Sequence, residues 1–212
     1  MPQPLIEDHA LVLFQGDSIT DAGRSRTDDN QLGGGYAMLA ATFFAALHPA
    51  KRVRFLNRGI SGNRAKDLEA RWQRDCLDLR PTWVSIMIGI NDTWRRYDSN
   101  DPTPVEAYER SYRAILQAAR DGLGARLILL EPFLLPCPPD RLSWREDLNP
   151  RIEVVRRLAR EFDALLVPLD RLFAKAARRR EPEFWAADGV HPSPAGHALI
   201  AHAWLKAVRA VR

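Results

Sequence analysis

The chain has 212 residues, of which 46% are apolar, so it can bury one sizeable core, and we predict a single domain over 1–212. Its 31 basic and 27 acidic residues leave a net charge of +4, with the arginines scattered rather than gathered into a stripe with aromatic residues, which argues against a nucleic-acid partner. No apolar run reaches the ~18 residues of a membrane span. The first run, Leu11–Phe14, is too short for a signal-peptide core, so we expect a cytoplasmic protein without a membrane partner.

Short apolar segments alternate with segments of helical periodicity along the chain. Five segments are rich in Leu, Ile or Val and bounded by polar residues, glycine or proline, as buried parallel strands are. These predicted strands are Leu11–Phe14, Val53–Leu56, Val84–Ile88, Leu127–Leu130 and Leu165–Val167. The predicted helices are Tyr36–Leu47, Ala65–Leu79, Val105–Ala119, Ile152–Phe162 and Pro194–Val211. This alternation predicts an α/β fold, in which helices cover both faces of a parallel sheet.

The segment 132–150 is rich in proline and follows the fourth predicted strand. Because the strand–helix pattern resumes after it, we interpret it as a long loop within the domain and not as a linker. Loops of this length often carry function, so we expect it to border the functional site. The sequence does not define its role there.

The first predicted strand runs directly into Gly16-Asp17-Ser18. Ligands of open α/β sheets bind beyond the carboxyl ends of the strands, so Ser18 is delivered to the expected active edge. Gly16 permits a tight turn, and the Ser18 N–H can then face a bound carbonyl group. The same three residues are also typical of a capping turn without chemistry, so this motif alone assigns no function.

A second candidate motif, Asp188-Gly189-Val190-His191, lies just before the last predicted helix. A serine hydroxyl needs a base to accept its proton, and an imidazole suits that task at neutral pH. A carboxylate on the other ring nitrogen fixes the tautomer and stabilises the cation, so Asp188 and His191 can supply the pair that Ser18 needs. By itself, this spacing also fits a surface loop whose aspartate caps a turn.

Two further segments follow the second and third predicted strands. Asn91 can donate its amide N–H to a developing oxyanion, although an Asn-Asp pair can also form a turn that terminates a strand and has no catalytic role. Gly62 can offer an unobstructed backbone N–H, although glycine there can also serve a positive φ. Because the ends of the first three strands converge on one edge, to which the last helix can return, the joint placement favours a serine nucleophile with a base and an acid. A metal site formed by Asp188, His191 and His197 is a poor alternative, since the sequence supplies no well-spaced fourth ligand.

In this order, the four segments resemble blocks I, II, III and V of the GDSL/SGNH hydrolase superfamily. The residues that match its nucleophile, its two further oxyanion donors, its base and its acid are Ser18, Gly62, Asn91, His191 and Asp188. The resemblance runs from residue 14 to about residue 203. It implies a flavodoxin-like three-layer α/β/α sandwich with a five-stranded parallel sheet, a Ser-His-Asp triad and an oxyanion hole that includes the serine N–H. It also implies that the chain uses no metal or organic cofactor.

More narrowly, the segments FQGDSITDAGRSR, NRGISGN, DLEARW, WVSIMIGINDTWRRYD and DGVHPSPAGHALIA resemble a subgroup of intracellular carbohydrate acetylesterases, which includes acetylxylan esterases. This resemblance implies hydrolysis of short-chain esters, above all acetyl esters of carbohydrates such as xylo-oligosaccharides, through an acyl-enzyme on Ser18. Relatives in this subgroup often assemble, so homo-oligomer formation is left open.

Three aromatic residues near the matched segments are candidates for substrate binding, because aromatic faces pack against sugar rings. They are Trp94, Tyr97 and Trp185, and Trp94 is preferred because it lies three residues past Asn91. All three can also be ordinary core residues. His197 follows the second motif by six residues, and we expect it to pack in the early part of the last helix.

Two other functions fit parts of the same sequence. A broad short-chain carboxylesterase, thioesterase or lysophospholipase can use the same fold and triad, because specificity depends on loops. A non-catalytic flavodoxin-like module that binds a nucleotide or flavin needs a phosphate-binding loop after the first strand, and Asp17 and Asp21 oppose a phosphate there. Asp17 and Asp92 are expected to be hydrogen-bond partners within the site and not reacting groups.

Overall fold

The computed structural model describes residues 3–212 and contains a sheet of five parallel strands. The strands are β1 (Leu11–Gly16), β2 (Arg54–Asn57), β3 (Trp83–Met87), β4 (Arg126–Leu130) and β5 (Leu165–Val167). Their order is β2-β1-β3-β4-β5, which is the flavodoxin-like order, and every neighbouring pair is parallel. Each strand expected from the sequence is present, with ends that differ by at most two residues.

Helices surround this sheet on both sides. Within residues 3–212 they are α1 (Ser18–Asp21), α2 (Tyr36–Leu47), α3 (Ala65–Ala70), α4 (Trp72–Asp75), α5 (Ile90–Asp98), α6 (Val105–Leu123), α7 (Arg145–Glu161), α8 (Leu169–Ala177), α9 (Pro182–Trp185) and α10 (Pro194–Ala207). Two 3-10 turns lie at Leu77–Leu79 and Pro139–Trp144. In the part of the chain that the structure describes, no helix combines the length and the apolar character needed to cross a bilayer.

The side chains of the central strands alternate between two cores, one on each face of the sheet. On one face, Phe14 of β1 packs with Phe44 of α2 and Trp204 of α10. On the other face, Leu13 of the same strand belongs to the core that contains Tyr108 of α6. Because successive strand residues point to opposite faces, β1 is apolar on both sides. The predicted three-layer α/β/α sandwich is confirmed.

The single helix expected over 65–79 is wrong, because this stretch is divided into α3, α4 and the 3-10 turn after them. The backbone leaves helical geometry at Arg71 and again at Cys76. The buried Gln15 side chain donates to the Asp75 carbonyl at 2.7 Å, so this carbonyl is satisfied outside the helix. A hydrogen bond from a distant strand thus replaces the intrahelical bond that the Asp75 carbonyl would accept in one continuous helix.

The segment after β4 is more ordered than the expected long loop. The 3-10 turn Pro139–Trp144 leads directly into α7, which begins at Arg145 and contains Pro150 instead of following it. Trp144 and Leu148 are buried in the core and anchor this first part of the helix. Their packing offsets the backbone hydrogen bond that Pro150 cannot donate.

Helix ends and short helices account for the remaining differences. The helix α6 continues past the expected end at Ala119 and stops at Leu123, where Gly124 adopts a left-handed conformation with φ 65°. The helix α10 ends at Ala207, before the expected Val211. The sequence-based assignment lacks α1, α5, α8 and α9. Of these, α1, α5 and α8 start within three residues of the end of the preceding strand.

Candidate active site

Ser18 lies at the carboxyl edge of the sheet because β1 turns directly into α1 after Gly16. A Cβ atom on residue 16 would lie 2.4 Å from the Met87 carbonyl oxygen of β3, so a side chain is excluded here. Asp17 caps α1 by accepting a hydrogen bond from the Ile19 N–H at 3.0 Å. Ser18 is therefore the first helical residue, and its N–H points out of the helix N-terminus without an intrahelical partner.

Three side chains from opposite ends of the chain form a hydrogen-bonded row at this edge. The Ser18 Oγ lies 2.9 Å from His191 Nε2, and His191 Nδ1 lies 2.6 Å from Asp188 Oδ2. The other Asp188 oxygen accepts the backbone N–H groups of Val190 and His191 at 3.0 and 2.7 Å. When Nδ1–H donates to Asp188, Nε2 of the neutral ring is free to accept a proton from Ser18. The row has the geometry of a nucleophile, a base and an acid that orients the base.

The loop that carries the candidate acid and base, residues 188–191, is held from two sides. Gly189 has φ 79°, and a Cβ atom there would lie 2.4 Å from the Cys137 carbonyl oxygen, so the loop packs directly on the segment after β4. The Leu135 N–H donates to the Gly189 carbonyl at 2.9 Å. Beyond the loop, the Ser193 hydroxyl caps α10. These contacts fix the loop between the Pro-rich segment and the last helix.

Hydrogen bonds control the ionisation of the pair. Burial alone would raise the pKa of the Asp188 carboxyl, but hydrogen bonds from the His191 side chain and from the His191 and Val190 backbone outweigh it and lower this pKa to about 2. The bond to Asp188 raises the pKa of His191 above its ordinary 6.5, and partial burial opposes the rise. Asp188 is therefore ionised at neutral pH and stabilises the imidazolium that forms when His191 accepts a proton.

The three donors predicted from the sequence each retain an N–H group that can bind an anion. Ser18 contributes the N–H at the start of α1, which has no acceptor in the part of the chain that the structure describes. The Gly62 N–H, in a turn with φ 82°, donates to no acceptor within residues 3–212. The nearly buried Asn91 amide donates one hydrogen to the Asn63 carbonyl at 3.1 Å, which orients the amide and leaves its second hydrogen available. Such donors can stabilise a negatively charged oxygen.

Two buried carboxyl groups lie within the same edge. Asp17 and Asp92 are 1% and 0% exposed. Burial raises the pKa of Asp17 to about 7, although the hydrogen bond from the Ile19 N–H lowers it in part. Burial also raises the pKa of Asp92 to about 6. Asp92 Oδ2 accepts the Ala65 N–H at 3.2 Å, at the start of α3. Both carboxyl groups thus hold backbone N–H groups at the start of helices.

The candidate aromatic residues occupy different places. The Trp94 ring lies beside the triad, with its centroid 5.7 Å from that of His191. Tyr97 stacks on Trp144 with centroids 5.0 Å apart, and Trp144 in turn packs edge-on against Trp94 at 5.2 Å. Trp185 lies in another groove, between α8 and α10, whose lining includes no triad residue. The structure thus brings Trp94 to the triad, links Tyr97 to it through Trp144, and separates Trp185.

Two residues of the Pro-rich segment join the site without being predicted. The Arg141 guanidinium lies 4.0 Å from the Trp144 ring centroid and 5.2 Å from that of Trp94. Its Nε donates to the Asp188 carbonyl at 3.2 Å. This part of the segment therefore borders the candidate site. Neither Arg141 nor Trp144 belongs to a recognisable motif, so no sequence signal could identify them.

His197 has a local role at the start of α2. Its Nδ1 accepts the Tyr36 N–H at 3.1 Å, and a Cβ atom on Gly35 would lie 2.9 Å from the imidazole. Burial, together with the charge of His191, lowers the pKa of His197 to about 4, so it is neutral at pH 7. It forms no hydrogen bond to the triad and instead fixes α10 against α2.

A sequence model described as the GDSL-like Lipase/Acylhydrolase family matches residues 14–199. The chain belongs to this family. The matched range contains the triad candidates Ser18, Asp188 and His191 and the oxyanion candidates Gly62 and Asn91. Membership in the GDSL-like family identifies the chain as a carboxylic ester hydrolase.

Individual relatives of this GDSL-like hydrolase cover most of its length. An acetylxylan esterase of Geobacillus stearothermophilus is 36% identical over 93% of each chain. A putative GDSL-like lipase of Parabacteroides merdae superposes with a TM-score of 0.93 at 34% identity, covering 97% of this chain and 98% of the other. A thioesterase 1/protease 1/lysophospholipase L1 of Escherichia coli is 27% identical, over 81% of this chain and 76% of that protein.

Proposed function

We propose that this GDSL-like hydrolase is a serine esterase that removes acetyl groups from carbohydrates, with acetylated xylo-oligosaccharides as substrates. The observation that carries the catalytic part is the row of Ser18, His191 and Asp188, with contacts of 2.9 and 2.6 Å. The identity with an acetylxylan esterase over nearly the whole chain supports the substrate class. The resemblance to intracellular acetylesterases supports action on short oligosaccharides inside the cell.

The first half of the proposed reaction forms an acyl-enzyme. His191 Nε2 accepts the hydroxyl proton while Ser18 Oγ bonds to the acetyl carbonyl carbon, and the carbonyl π electrons move to its oxygen. The tetrahedral intermediate then collapses, and the bond to the sugar oxygen breaks. That oxygen takes the proton from His191 and leaves as a free hydroxyl group. The acetyl group remains on Ser18 as an ester.

The second half releases acetate. A water molecule gives a proton to His191 Nε2 while its oxygen bonds to the acyl carbon. When this second tetrahedral intermediate collapses, Ser18 Oγ leaves and recovers a proton from His191. In both halves Asp188 keeps its charge and holds the ring through Nδ1–H, in keeping with its lowered pKa of about 2.

The oxyanion of both intermediates is assigned to the N–H groups of Ser18 and Gly62 and to the amide of Asn91. Each donor of this kind typically lowers the barrier by about 2.7–4 kcal/mol. The contact of Asn91 with the Asn63 carbonyl supports this role, because it fixes the amide before substrate arrives. A fixed donor loses little free energy to reorganisation when negative charge develops.

Labelling with a fluorophosphonate probe tests the catalytic part of the proposal. We expect the wild-type protein to be labelled and the Ser18→Ala variant to remain unlabelled and to lose several orders of magnitude of kcat. Ser99→Ala, an exposed serine at the end of α5, is the matched control and should keep both labelling and activity. Retention of more than a tenth of the wild-type esterase activity in Ser18→Ala contradicts the assignment of the nucleophile.

A second candidate function is a broader short-chain carboxylesterase, thioesterase or lysophospholipase. The specific observation in its favour is the 27% identity with a thioesterase/lysophospholipase over 81% of the chain. Values of kcat/KM for peracetylated xylobiose, p-nitrophenyl butyrate and lysophosphatidylcholine separate the two functions. A preference of tenfold or more for the lipid over the sugar contradicts the carbohydrate assignment.

A further inference from the structure

The backbone N–H of Gly62 belongs to a short turn, Ser61–Asn63, that other residues hold at both ends. The turn places Gly62 at φ 82°, with open space where a Cβ atom would be. A backbone donor has no side-chain rotamer of its own, so its direction depends on the two residues that flank it. The contacts of Ser61 and Asn63 therefore determine where the Gly62 N–H points.

Ser61 is held by the carboxylate of Asp21, the last residue of α1. Asp21 Oδ2 accepts the Ser61 backbone N–H at 3.0 Å and the Ser61 hydroxyl at 3.1 Å. The Asp21 side chain is only 5% exposed, and Arg26 Nη2 reaches the same oxygen at 2.6 Å from the solvent side. One buried oxygen thus accepts both donors of Ser61, through the charge-assisted type of bond that is stronger than a neutral one.

The nucleophile and this carboxylate lie on the same helical turn. Ser18 and Asp21 are the first and last residues of α1, three positions apart. The loop that leads to Ser61 also packs directly on this turn, since a Cβ atom on Gly59 would lie 2.4 Å from the Asp21 backbone nitrogen. The contact from Asp21 to Ser61 therefore sets the position of the turn Ser61–Asn63 relative to Ser18.

The other end of the turn is held by Arg71 and Asn91. Arg71 Nε donates to the Asn63 side-chain oxygen at 2.8 Å, and Asn91 Nδ2 donates to the Asn63 carbonyl at 3.1 Å. Arg71 is itself fixed by Asp75 at 3.0 Å. The contacts that hold Asn63 do not include Asp21, so we expect loss of Asp21 to release only the Ser61 end of the turn.

We propose that Asp21 is a positioning residue that aims the Gly62 N–H at the oxyanion, by holding Ser61 in fixed relation to Ser18. This role rests on the proposed function of Gly62 as an oxyanion donor. Loss of one such donor typically costs about 10²–10³ in kcat, and displacement of about 1 Å can cost about 10². Asp21 acts through the backbone and does not touch substrate, so its removal changes transition-state stabilisation and leaves ground-state binding nearly unchanged.

Kinetics of Asp21→Ala with p-nitrophenyl acetate test this role, with an alkyl boronic acid as a probe of the tetrahedral state. We expect kcat to fall between 10-fold and 100-fold, KM to change by less than threefold, and the inhibition constant of the boronic acid to rise at least tenfold. Arg26→Ala is the matched control, because it removes the ion pair from the same carboxylate and keeps both Ser61 contacts. It should leave kcat and the boronic acid constant within twofold of wild type.

The readouts separate this role from a general loss of structure. Activities are normalised to the folded fraction from circular dichroism, and a merely structural role lowers that fraction without changing the boronic acid constant of the folded protein. Should Asp21→Ala not fold, Asp21→Asn keeps the shape but weakens both bonds, and a threefold to tenfold change in kcat and in the boronic acid constant is then expected. If a folded Asp21→Ala or Asp21→Asn variant has the wild-type kcat and the wild-type inhibition constant of the boronic acid, the proposal is overturned.

The same experiment distinguishes this inference from the proposed function. If Ser18→Ala is inactive and Asp21→Ala retains the wild-type kcat, the esterase assignment stands and the positioning role is wrong. If Ser18→Ala remains active, the nucleophile itself is wrong, and the positioning role fails with it. An equal loss in Arg26→Ala and Asp21→Ala also overturns the role, because it ties the effect to the ion pair and not to Ser61.

Discussion

The indole of Trp94 packs against the imidazole of His191, with 5.7 Å between the ring centroids and 53° between the ring planes. Trp144 packs edge-on against Trp94, and the Arg141 guanidinium lies over the same indole. Trp94 is nevertheless only partly buried, so some of its surface remains open to solvent beside the triad. The residue can therefore support the base and also contact a bound substrate.

Replacement of Trp94 by Ala should weaken binding of a sugar ester more than that of a small aryl ester. Stacked contacts are worth about 0.5–1.5 kcal/mol, so we expect KM for peracetylated xylobiose to rise about twofold to tenfold. KM for p-nitrophenyl acetate should stay within twofold. Trp185→Ala, in the groove between α8 and α10, is the matched control and should change neither value. Equal effects of Trp94→Ala on both substrates would show that Trp94 acts through His191 alone.

The pH dependence of kcat/KM should report the ionisation of His191. The ring acts as a base only when neutral, and its bond to Asp188 raises its pKa above 6.5. Activity should therefore be high above this raised pKa and fall as the pH drops through it, with a midpoint above 6.5. Initial rates with a short-chain ester between pH 4.5 and 9 measure the midpoint, and a flat profile down to pH 4.5 contradicts the role of His191.

Removal of the acid should move that midpoint in a known direction. Asp188→Ala deletes the hydrogen bond that raises the pKa of His191, so the midpoint should shift to lower pH. The ring also loses the partner that fixes its tautomer, so kcat should fall by about 10³–10⁴. Asp140→Ala, an exposed residue of the Pro-rich segment, should leave both quantities unchanged. A midpoint that does not move in Asp188→Ala means that Asp188 does not control the base.

Asn91→Ala should lower kcat by about 10²–10³ with little change in KM, because the amide is assigned to the oxyanion, which exists only after attack. Steady-state kinetics with p-nitrophenyl acetate measure both constants. Asn30→Ala, an exposed asparagine, is the control. If KM rises tenfold while kcat is unchanged, Asn91 binds the ground state and is not an oxyanion donor.

The placement of Ser18, Gly62 and Asn91 could be anticipated because it follows from topology. In a parallel sheet all strand ends of one kind lie at one edge, so residues just beyond β1, β2 and β3 converge whatever the details of packing. The central strands β1, β3 and β4 could be anticipated for a different reason, since strands buried on both faces are continuous apolar runs.

Features that depend on side-chain contacts between distant segments could not be anticipated. The bond from Gln15 to the Asp75 carbonyl breaks a helix that periodicity extends, and it joins residues 60 positions apart. In the sequence, Trp94 is preferred only because it lies three residues past Asn91, and no sequence feature shows that Trp185 lies elsewhere. In the structure, Trp94 lies beside His191 and Trp185 lies in a separate groove. Local sequence patterns do not show which helices and strands pack against each other.

Burial of Asp17 should make the stability of the protein depend on pH. The pKa of this carboxyl is raised from 3.8 to about 7, so between these values the folded state holds a proton that the unfolded state has released. The contribution of the Asp17 carboxyl to the free energy of unfolding is therefore fully present below about pH 4 and is lost as the pH rises to 7. Above pH 7 the free energy of unfolding no longer changes through this group. At one pKa unit per ~1.36 kcal/mol, the difference amounts to about 4 kcal/mol at most.

Asp17→Asn should abolish this contribution, because the amide is neutral at every pH and its oxygen can still accept the Ile19 N–H. Urea unfolding at pH 5 and at pH 8 measures the effect. The variant should gain stability relative to wild type at pH 8, and the difference should be much smaller at pH 5. Asp78→Asn, an exposed residue, should show no such dependence. A variant that is destabilised equally at both pH values means that Asp17 is ionised in the folded protein, and that its charge is needed to hold the turn before Ser18.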